Sequence, residues 1–323
     1  MLPDEHEGKT IRNPIAERLA ARRCLILDGA LATELERRGA DLSDALWSAR
    51  LLLEQPELIR EVHADYFRAG ADVAITASYQ ASYSGFAKRG ISAERASQLL
   101  QLSVQLAAAA REEYQRSRSP GAGERALIAA SIGPYGATLA DGSEYRGCYA
   151  IDDAELADFH RPRLQALLAA GPDLLACETL PSLREALVLA RLLSEHSPAV
   201  AWISFACRDG ARTCEGQHVG ECVRALEDFE QVIAIGVNCT APEHVPALLT
   251  RMRPHTNKPL IAYPNSGEHY DAGAKRWHGS NSGPRFAEQA QRWFDAGARL
   301  IGGCCRTTPD DIRGIRASLD PCA

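Results

Sequence analysis

The segment WFDAGARLIGGCCRTTPDDI, residues 293–312, contains a helix end, a strand and the start of another helix. Gly297 stops the first helix, because glycine readily adopts the left-handed conformation found at helix C-caps. A short apolar run follows and leads into a pair of glycines and a pair of cysteines. Thr308, Pro309 and two acidic residues then have the pattern of a helix start. The segment therefore predicts one unit of a repeated βα structure.

The same junction of helix, glycine and strand recurs in PELIREVHADYFRAG (56–70) and LLAAGPDLL (167–175). Short apolar runs that end in polar or glycine-rich turns predict eight strands: CLILDG (24–29), DVAITASY (72–79), LIAASIGPYG (127–136), DLLACETLP (173–181), VAWISFACRDG (200–210), VIAIGVNCTAP (232–242), LIAYPNSGE (260–268) and RLIGGCCRTTP (299–309). The runs are nearly continuous in apolar residues, as in parallel strands that are buried on both faces.

Eight such strands with helices between them predict an α/β fold of the (β/α)8 TIM-barrel type in a single domain. A doubly wound sheet usually has fewer strands and a glycine-rich phosphate loop, and neither G-x-G-x-x-G nor a Walker A pattern is present. We assign residues 1–23 to an N-terminal extension with the first helix, and residues 24–323 to the barrel.

The amino-acid composition and the charge of the chain limit the classes of partner that this protein is expected to bind. The 323 residues carry a net charge of -6, with both signs mixed along the chain, which argues against nucleic acid or a membrane surface as partner. No signal-peptide pattern and no apolar run long enough to cross a membrane is present. Ten irregularly spaced cysteines do not form a disulfide framework. We therefore expect a cytoplasmic protein with reduced thiols and a small-molecule partner.

Three of these thiols follow predicted strands at the barrel rim, where functional loops of this fold gather. Cys239 follows the sixth strand, and Cys304 and Cys305 follow the eighth. Zinc prefers sulfur and nitrogen ligands, and three protein ligands leave a fourth position for water or substrate. Adjacent strand residues point to opposite faces, so both cysteines of the pair reach one ion only in a turn, which Gly302 and Gly303 permit. The pattern predicts a zinc site, although free cysteines are also common as buried packing residues.

Two carboxylates occupy the same predicted rim. Asp28 follows the first strand and Glu178 ends the fourth, so both would face the metal and bind the ammonium group of an amino acid. Asp28 is equally compatible with a helix cap, and Glu178 with an arginine ion pair. Other rim candidates, each also compatible with loop packing, are Thr76, Ser131, Asn238, Tyr263, Tyr79 and Tyr135.

Several segments together resemble the zinc-dependent homocysteine S-methyltransferases: residues 27–82 from LDGALATELERRG to ADVAITASYQAS, SIGPYGA, LADGSEYRG, LLACETLP, GVNC, YPNSGEHYD and GGCCRTTP. The resemblance extends from about Leu25 to Ile315. It is strongest for the short members that use S-methylmethionine or S-adenosylmethionine as methyl donor, and the pair GVNC with GGCC is its most specific element.

The resemblance implies a homocysteine-binding barrel whose zinc is held by Cys239, Cys304 and Cys305, with Asp28 and Glu178 holding the amino group of homocysteine. The betaine-dependent relatives carry a C-terminal dimerisation arm, and without it we expect a monomer. Those relatives also have a tyrosine after the strand-four glutamate that can occupy the open zinc position. Thr179 stands there in this chain, so a water or another side chain is expected as the resting fourth ligand.

The expected reaction is the attack of a zinc-activated homocysteine thiolate on the methyl group of a sulfonium donor, giving methionine. Aromatic faces attract such a cation, and Tyr79, Tyr135 and Tyr263 are the candidates for this contact. One alternative is a metal-free enzyme with a cysteine nucleophile, which would need an activating histidine or lysine at the rim. The other is a non-catalytic zinc-storage or thiol redox-sensing protein, which has no use for Asp28 and Glu178.

Overall fold

A computed structural model describes residues 11–41, 48–118, 124–267, 269–271, 276–278 and 286–319. One sheet contains the parallel strands β1 (Leu25–Ile26), β2 (Val73–Ile75), β3 (Leu127–Ile132), β4 (Leu174–Leu180), β5 (Ala201–Phe205), β6 (Val232–Asn238), β7 (Leu260–Tyr263) and β8 (Ala298–Ile301). They are ordered β1-β8-β7-β6-β5-β4-β3-β2, and a parallel bridge between Leu27 and Val73 closes the ring. The predicted (β/α)8 barrel is confirmed, with one strand in each of the eight predicted runs.

Helices surround the sheet: α1 (Pro14–Leu19), α2 (Leu31–Arg37), α3 (Ser48–Glu54), α4 (Pro56–Arg68), α5 (Tyr83–Ala87), α6 (Ala93–Arg116), α7 (Asp153–Ala169), α8 (Leu183–Ser194), α9 (Val219–Leu226), α10 (Val245–Met252), α11 (Phe286–Asp295) and α12 (Pro309–Leu319). The three predicted glycine stops are confirmed, because Gly70, Gly171 and Gly297 have φ angles of 102°, 70° and 118°. Thr308 and Asp311 exchange hydrogen bonds at the start of α12, as the sequence predicts.

Side chains from all eight strands fill the barrel interior. We call this set the inner cluster: Ile15, Leu25, Leu27, Val73, Leu127, Ala129, Leu174, Ala176, Val200, Trp202, Ile233, Ala234, Ile261, Tyr263 and Leu300. On β4 the residues Leu174 and Ala176 belong to it, whereas Leu175 and Cys177 pack outward against the helices. Because strand side chains alternate, the next inward residue of β4 is Glu178. The layer nearest the carboxyl ends of the strands is therefore polar.

Two features lie outside this regular pattern. Ile15 of α1 is fully buried in the inner cluster, so the N-terminal segment contributes to the barrel interior. The boundary that we assign at residue 24 stays a prediction.

After β7, His269–Asp271 pairs antiparallel with Arg276–His278. No helix in the described ranges combines the length and the apolar character needed to cross a membrane.

Candidate metal centre and active site

Three thiols meet at the mouth of the barrel. The Sγ atoms of Cys239, Cys304 and Cys305 all lie within 4.8 Å of one another. The Sγ atom of Cys305 is 3.5 Å from that of Cys239 and 4.0 Å from that of Cys304. Cys239 is 7% exposed, and the other two are half-buried. The structure thus brings together the three cysteines that the sequence places at the rim.

Strand β7 holds both cysteine-bearing segments in position, because it lies between β6 and β8. The N–H of Cys239 donates to the carbonyl of Tyr263 (3.2 Å), and the N–H of Cys304 donates to the carbonyl of the next residue, Pro264 (2.7 Å). The carbonyl of Cys305 accepts from Ser266 (3.0 Å). Backbone hydrogen bonds to one short stretch of chain therefore fix the distance between thiols that are 65 and 66 residues apart in sequence.

The turn after β8 lets two adjacent cysteines face the same side. A Cβ atom on Gly302 would lie 2.6 Å from Cβ of Leu27, so only glycine fits where β8 passes β1. Cys304 and Cys305 then lie beyond the strand, which ends at Ile301. Both cysteines therefore lie in the turn before α12, as the sequence predicts. The expected reason is wrong, because Gly302 and Gly303 are not among the described glycines with a positive φ and are required by close packing instead.

The thiol cluster fits a tetrahedral zinc ion. Zinc–sulfur bonds of about 2.3 Å place two ligating sulfurs about 3.8 Å apart in a tetrahedron. The separations of 3.5 and 4.0 Å from Cys305 lie on either side of this value. No histidine or carboxylate oxygen joins the three cysteines as a metal-binding group within the part of the chain that the structure describes. The arrangement offers a metal ion three sulfur ligands and one further position.

A phenol contacts the cluster. The hydroxyl of Tyr145 lies 3.0 Å from Sγ of Cys239. Hydrogen bonds with Cys304, Cys305 and this phenol lower the pKa of Cys239 well below its ordinary value, in spite of its burial. The contact with Cys239 raises the pKa of the other two thiols. These contacts favour a thiolate at Cys239, because its neighbours donate hydrogen bonds to the ionised sulfur.

Two buried carboxyl groups lie near the thiols. Asp28 is 2% exposed, and its Oδ2 accepts from the N–H of Ile75 at 2.8 Å, while its buried Oδ1 has no hydrogen-bond partner. Burial raises the pKa of Asp28 well above its ordinary value, and the charge of Glu178 contributes in the same direction. Burial, followed by the charge of Cys304, raises the pKa of Glu178 to about 8. A cation bound between these groups would favour their ionised forms.

Both structural alternatives for these carboxylates are wrong in the described chain. Helix α2 has Ala30 as its N-cap and no side-chain cap, so Asp28 does not cap it. Glu178 accepts a hydrogen bond from the hydroxyl of Ser131 and interacts with that of Tyr263, and it forms no ion pair with an arginine among the described residues.

Asn238 connects the thiol cluster to the fourth strand. Its Oδ1 accepts from the N–H of Thr179 (2.7 Å) and the hydroxyl of Ser204 (2.8 Å), and its Nδ2 donates to the hydroxyl of Thr179 (2.7 Å). The same Nδ2 lies 4.0 Å from Sγ of Cys304. Thr179 is thus held with a φ of 60°, an uncommon conformation for a β-branched residue.

The other predicted site residues divide into two groups. The hydroxyl of Thr76 accepts from the N–H of Ser131 (3.0 Å), and that of Tyr263 accepts from Trp202 Nε1 (3.0 Å). These contacts build the rim, and direct contact with a substrate stays a prediction. The Tyr135 ring packs edge-on against Tyr149 and Phe159, with centroids 5.3 and 5.1 Å apart, in the layer between sheet and helices.

Three polar residues at the mouth escape the sequence reasoning. Glu144 and Tyr145 lie in a 3-10 helix, Ser143–Tyr145, that is not directly attached to a strand end. Ser204 follows Trp202 at the next inward position of β5, so the alternation of inward residues is the signal that identifies it. Glu268, an acidic residue that follows the seventh predicted strand, lies outside the described residues.

Comparisons with known proteins extend over nearly the whole chain. The family model described as Homocysteine S-methyltransferase matches residues 25–319. Homocysteine S-methyltransferase YbgG of Bacillus subtilis is 51% identical over 310 residues, covering 94% of this chain and 97% of the relative. Homocysteine S-methyltransferase of Escherichia coli is 52% identical over 306 residues, covering 94% and 98%.

Crystal structures of the homocysteine methyltransferase MmuM from Escherichia coli have the same fold. The metallated form has a TM-score of 0.86 and 50% identity over 94% of this chain and 99% of that one. The oxidised form has the same TM-score and identity and covers 95% and 99%. On this similarity and the extent of the family match, the chain belongs to the homocysteine S-methyltransferase family and is a methyltransferase.

Proposed function

We propose that this protein transfers a methyl group from a sulfonium compound, S-methylmethionine or S-adenosylmethionine, to the sulfur of homocysteine, with zinc bound by Cys239, Cys304 and Cys305. The observation that carries the proposal is the meeting of three thiols and two buried carboxyl groups at one barrel mouth. A thiol-containing amino acid is a substrate that uses both groups at once. Its sulfur would take the further ligand position, and its ammonium group the carboxylates.

Bound zinc would supply the site at which the homocysteine thiol loses its proton, so that the thiolate is available at neutral pH. A free thiol with a pKa near 8.5 is only a few per cent ionised at pH 7. Zinc binds soft sulfur ligands well. A site of three cysteine sulfurs therefore suits a zinc ion that would also bind the homocysteine thiolate.

Asp28 and Glu178 would hold the ammonium group and thereby orient the homocysteine sulfur. Both carboxyl groups are almost fully buried, and each raises the electrostatic cost of a second negative charge in the pocket. An ammonium group relieves this cost, which supports binding of an amino acid at this position. The hydroxyls of Ser131 and Tyr263 fix the orientation of Glu178.

In the transfer step the homocysteine sulfur attacks the methyl carbon in line with the donor's sulfur–methyl bond. A new sulfur–carbon bond forms, the donor's bond breaks, and its electron pair returns to the donor sulfur. The products are methionine and the demethylated donor. Since a thiolate and a sulfonium lose charge as they react, a mouth that excludes water favours the transition state.

The two alternative functions have less support. A metal-free cysteine nucleophile needs an activating base, and the thiol contacts in the described chain come from Tyr145, Asn238 and the other cysteines. A storage or redox-sensing protein explains the thiols but gives Asp28 and Glu178 no role. The expected cytoplasmic location and monomeric state stay predictions.

The test is to mix reduced, zinc-loaded protein with homocysteine and S-methylmethionine and to count methionine formed per homocysteine consumed. We expect two, because acceptor and spent donor both become methionine. Cys239→Ser should lose zinc and activity yet keep the circular dichroism spectrum and melting behaviour of a folded barrel, since the site lies at the rim. Full turnover by this variant would contradict the three-thiolate site.

A further inference from the structure

The segment LADGSEYRG, residues 139–147, lies over the loop that follows β3. A Cβ atom on Gly136 would be 2.6 Å from the backbone nitrogen of Glu144, so the two segments are in close backbone contact. This contact places Glu144 and Tyr145 at the barrel mouth, with the Tyr145 hydroxyl 3.0 Å from Sγ of Cys239. Glu144 has no role in the proposed transfer of the methyl group to homocysteine.

Glu144 is a half-buried carboxylate without a matching cation. Its Oε2 atom is buried and has no hydrogen-bond partner, and the side chain forms no ion pair among the described residues. Arg146, two residues on, is directed to the carbonyl of Asp141 and the hydroxyl of Ser143. Burial accordingly raises the pKa of Glu144.

The carboxylate lies close to the thiol cluster. Its charge contributes a rise to the pKa of Cys239 and is the largest charge effect on the pKa of Tyr79. Tyr79 is one of the tyrosines that the sequence suggests for contact with a sulfonium. The carboxylate therefore lies near enough to Cys239 and Tyr79 for its charge to act on both.

The acidic groups at the barrel mouth form two sets, and each set would bind a different substrate. Asp28 and Glu178 interact with each other and with Cys304, and they serve the ammonium group of homocysteine in the proposed function. Glu144 acts on Cys239 and, more strongly than Glu178 does, on Tyr79. A partly desolvated carboxylate is unfavourable unless a positive charge compensates it.

We propose that the Glu144 carboxylate binds the sulfonium charge of the methyl donor and selects a cationic donor over a neutral thioether. This inference rests on the proposed function and adds to it the residue that recognises the donor. The ionic contact is strongest before the reaction, because the positive charge disappears as the methyl group leaves. Glu144 thus acts in donor binding more than in the chemical step.

The first variant is Glu144→Gln, which keeps the shape and removes the charge. We expect KM for the donor to rise about tenfold, in the range measured when one member of a close charge pair is removed. We expect kcat to stay the same or to rise, and the Kd for homocysteine to stay unchanged. Asp141→Asn is the matched control, because it removes an exposed charge in the same segment.

A neutral analogue separates charge recognition from a structural role. In 2-amino-5-methylhexanoic acid, a CH group replaces the sulfonium sulfur of S-methylmethionine, and the amino and carboxyl groups remain. Glu144→Gln should weaken S-methylmethionine about tenfold and leave inhibition by this analogue unchanged. Equal weakening of both compounds would overturn the inference, because it would assign Glu144 to the donor's ammonium group or to the fold.

Glu144→Asp tests the same point without the analogue. It keeps the charge and should retain more donor affinity than Glu144→Gln; equal losses in the two variants would overturn the inference. The inference would also be overturned if Glu144→Gln had the kcat and the donor KM of the wild type. The proposed function would stand in that case. No turnover of wild-type protein with either sulfonium donor would overturn both.

Discussion

Three residues at the rim have an unusual backbone. Thr179, Cys239 and Arg306, which lie at or beyond the ends of β4, β6 and β8, have φ angles of 60°, 46° and 68°. Such conformations cost about 1–3 kcal/mol per residue and persist only where the surroundings hold them. Asn238 holds Thr179 with two hydrogen bonds of 2.7 Å. Nothing in the local sequence indicates a left-handed threonine, so this part of the site was not predictable.

The role of Glu178 is testable with a single isosteric change. Glu178→Gln should weaken homocysteine binding to the zinc-loaded protein by about thirtyfold or more, since removing one member of a buried charge pair costs about 2–5 kcal/mol. Isothermal titration calorimetry with homocysteine measures this effect. Zinc content should stay the same, because Glu178 is not part of the thiol cluster.

A matched control is Glu243→Gln, which alters an exposed carboxylate in the loop after β6. Its homocysteine affinity should equal that of the wild type. If Glu178→Gln bound homocysteine with the wild-type affinity, Glu178 would have no part in binding the ammonium group. That result would favour the storage alternative.

At the scale of elements, the strands and several helix ends are predictable from the sequence, whereas the 3-10 helix after β3 is not. Each buried strand is a local apolar run, and each glycine stop is a single residue, so both can be identified from a few neighbouring letters. The 3-10 helix Ser143–Tyr145 has no such signal, because its position depends on close contact with Gly136. For this reason the sequence predicts that Cys239, Cys304 and Cys305 lie at the rim, whereas it assigns no role to Glu144 and Tyr145.

Strand β6 should tolerate no side chain at Gly236. A Cβ atom there would lie 1.9 Å from the carbonyl oxygen of Ile261 in β7, so Gly236→Ala must separate the two strands. We expect a loss of about 3 kcal/mol or more in the free energy of unfolding. Zinc should be lost as well, because β7 positions both cysteine-bearing segments. Urea denaturation and metal analysis measure the two effects.

Gly171→Ala provides the control for Gly236→Ala. Gly171 lies before β4 and has a φ of 70°, and no atom of the described residues lies within 4 Å of its Cβ position. This variant should lose only about 1 kcal/mol through backbone strain and should retain its metal. Metal retention by Gly236→Ala would contradict the view that β6 and β7 must stay in register to form the site.

At the scale of the whole molecule, acid should destabilise the fold through His63. This residue of α4 is fully buried, and neither ring nitrogen has a hydrogen-bond partner among the residues that the structure describes. Burial lowers its pKa from 6.5 to about 4. The unfolded chain takes up a proton below pH 6.5, whereas the folded chain does so only near pH 4. Stability from this residue is therefore complete above pH 6.5 and falls by about 3 kcal/mol between pH 6.5 and 4.

Urea unfolding at pH 7 and pH 4.5 checks this prediction. His63→Leu should show a smaller difference between the two pH values than the wild type. His218→Leu alters an exposed histidine and should keep the wild-type difference. An equal pH dependence in all three proteins would assign acid sensitivity to other groups.

Because the first and last strands are neighbours in the closed barrel, the site can be completed only at the end of chain synthesis. Asp28 follows the first strand and Cys305 the last, and the two strands are neighbours in the barrel. A ribosome releases Cys239 long before Cys305, so a growing chain carries a single member of the thiol trio while most of the sheet already exists. In the proposed function, zinc can therefore bind all three thiols only after β8 has been synthesised, and a truncated product that ends before β8 would lack two of the three sulfur ligands.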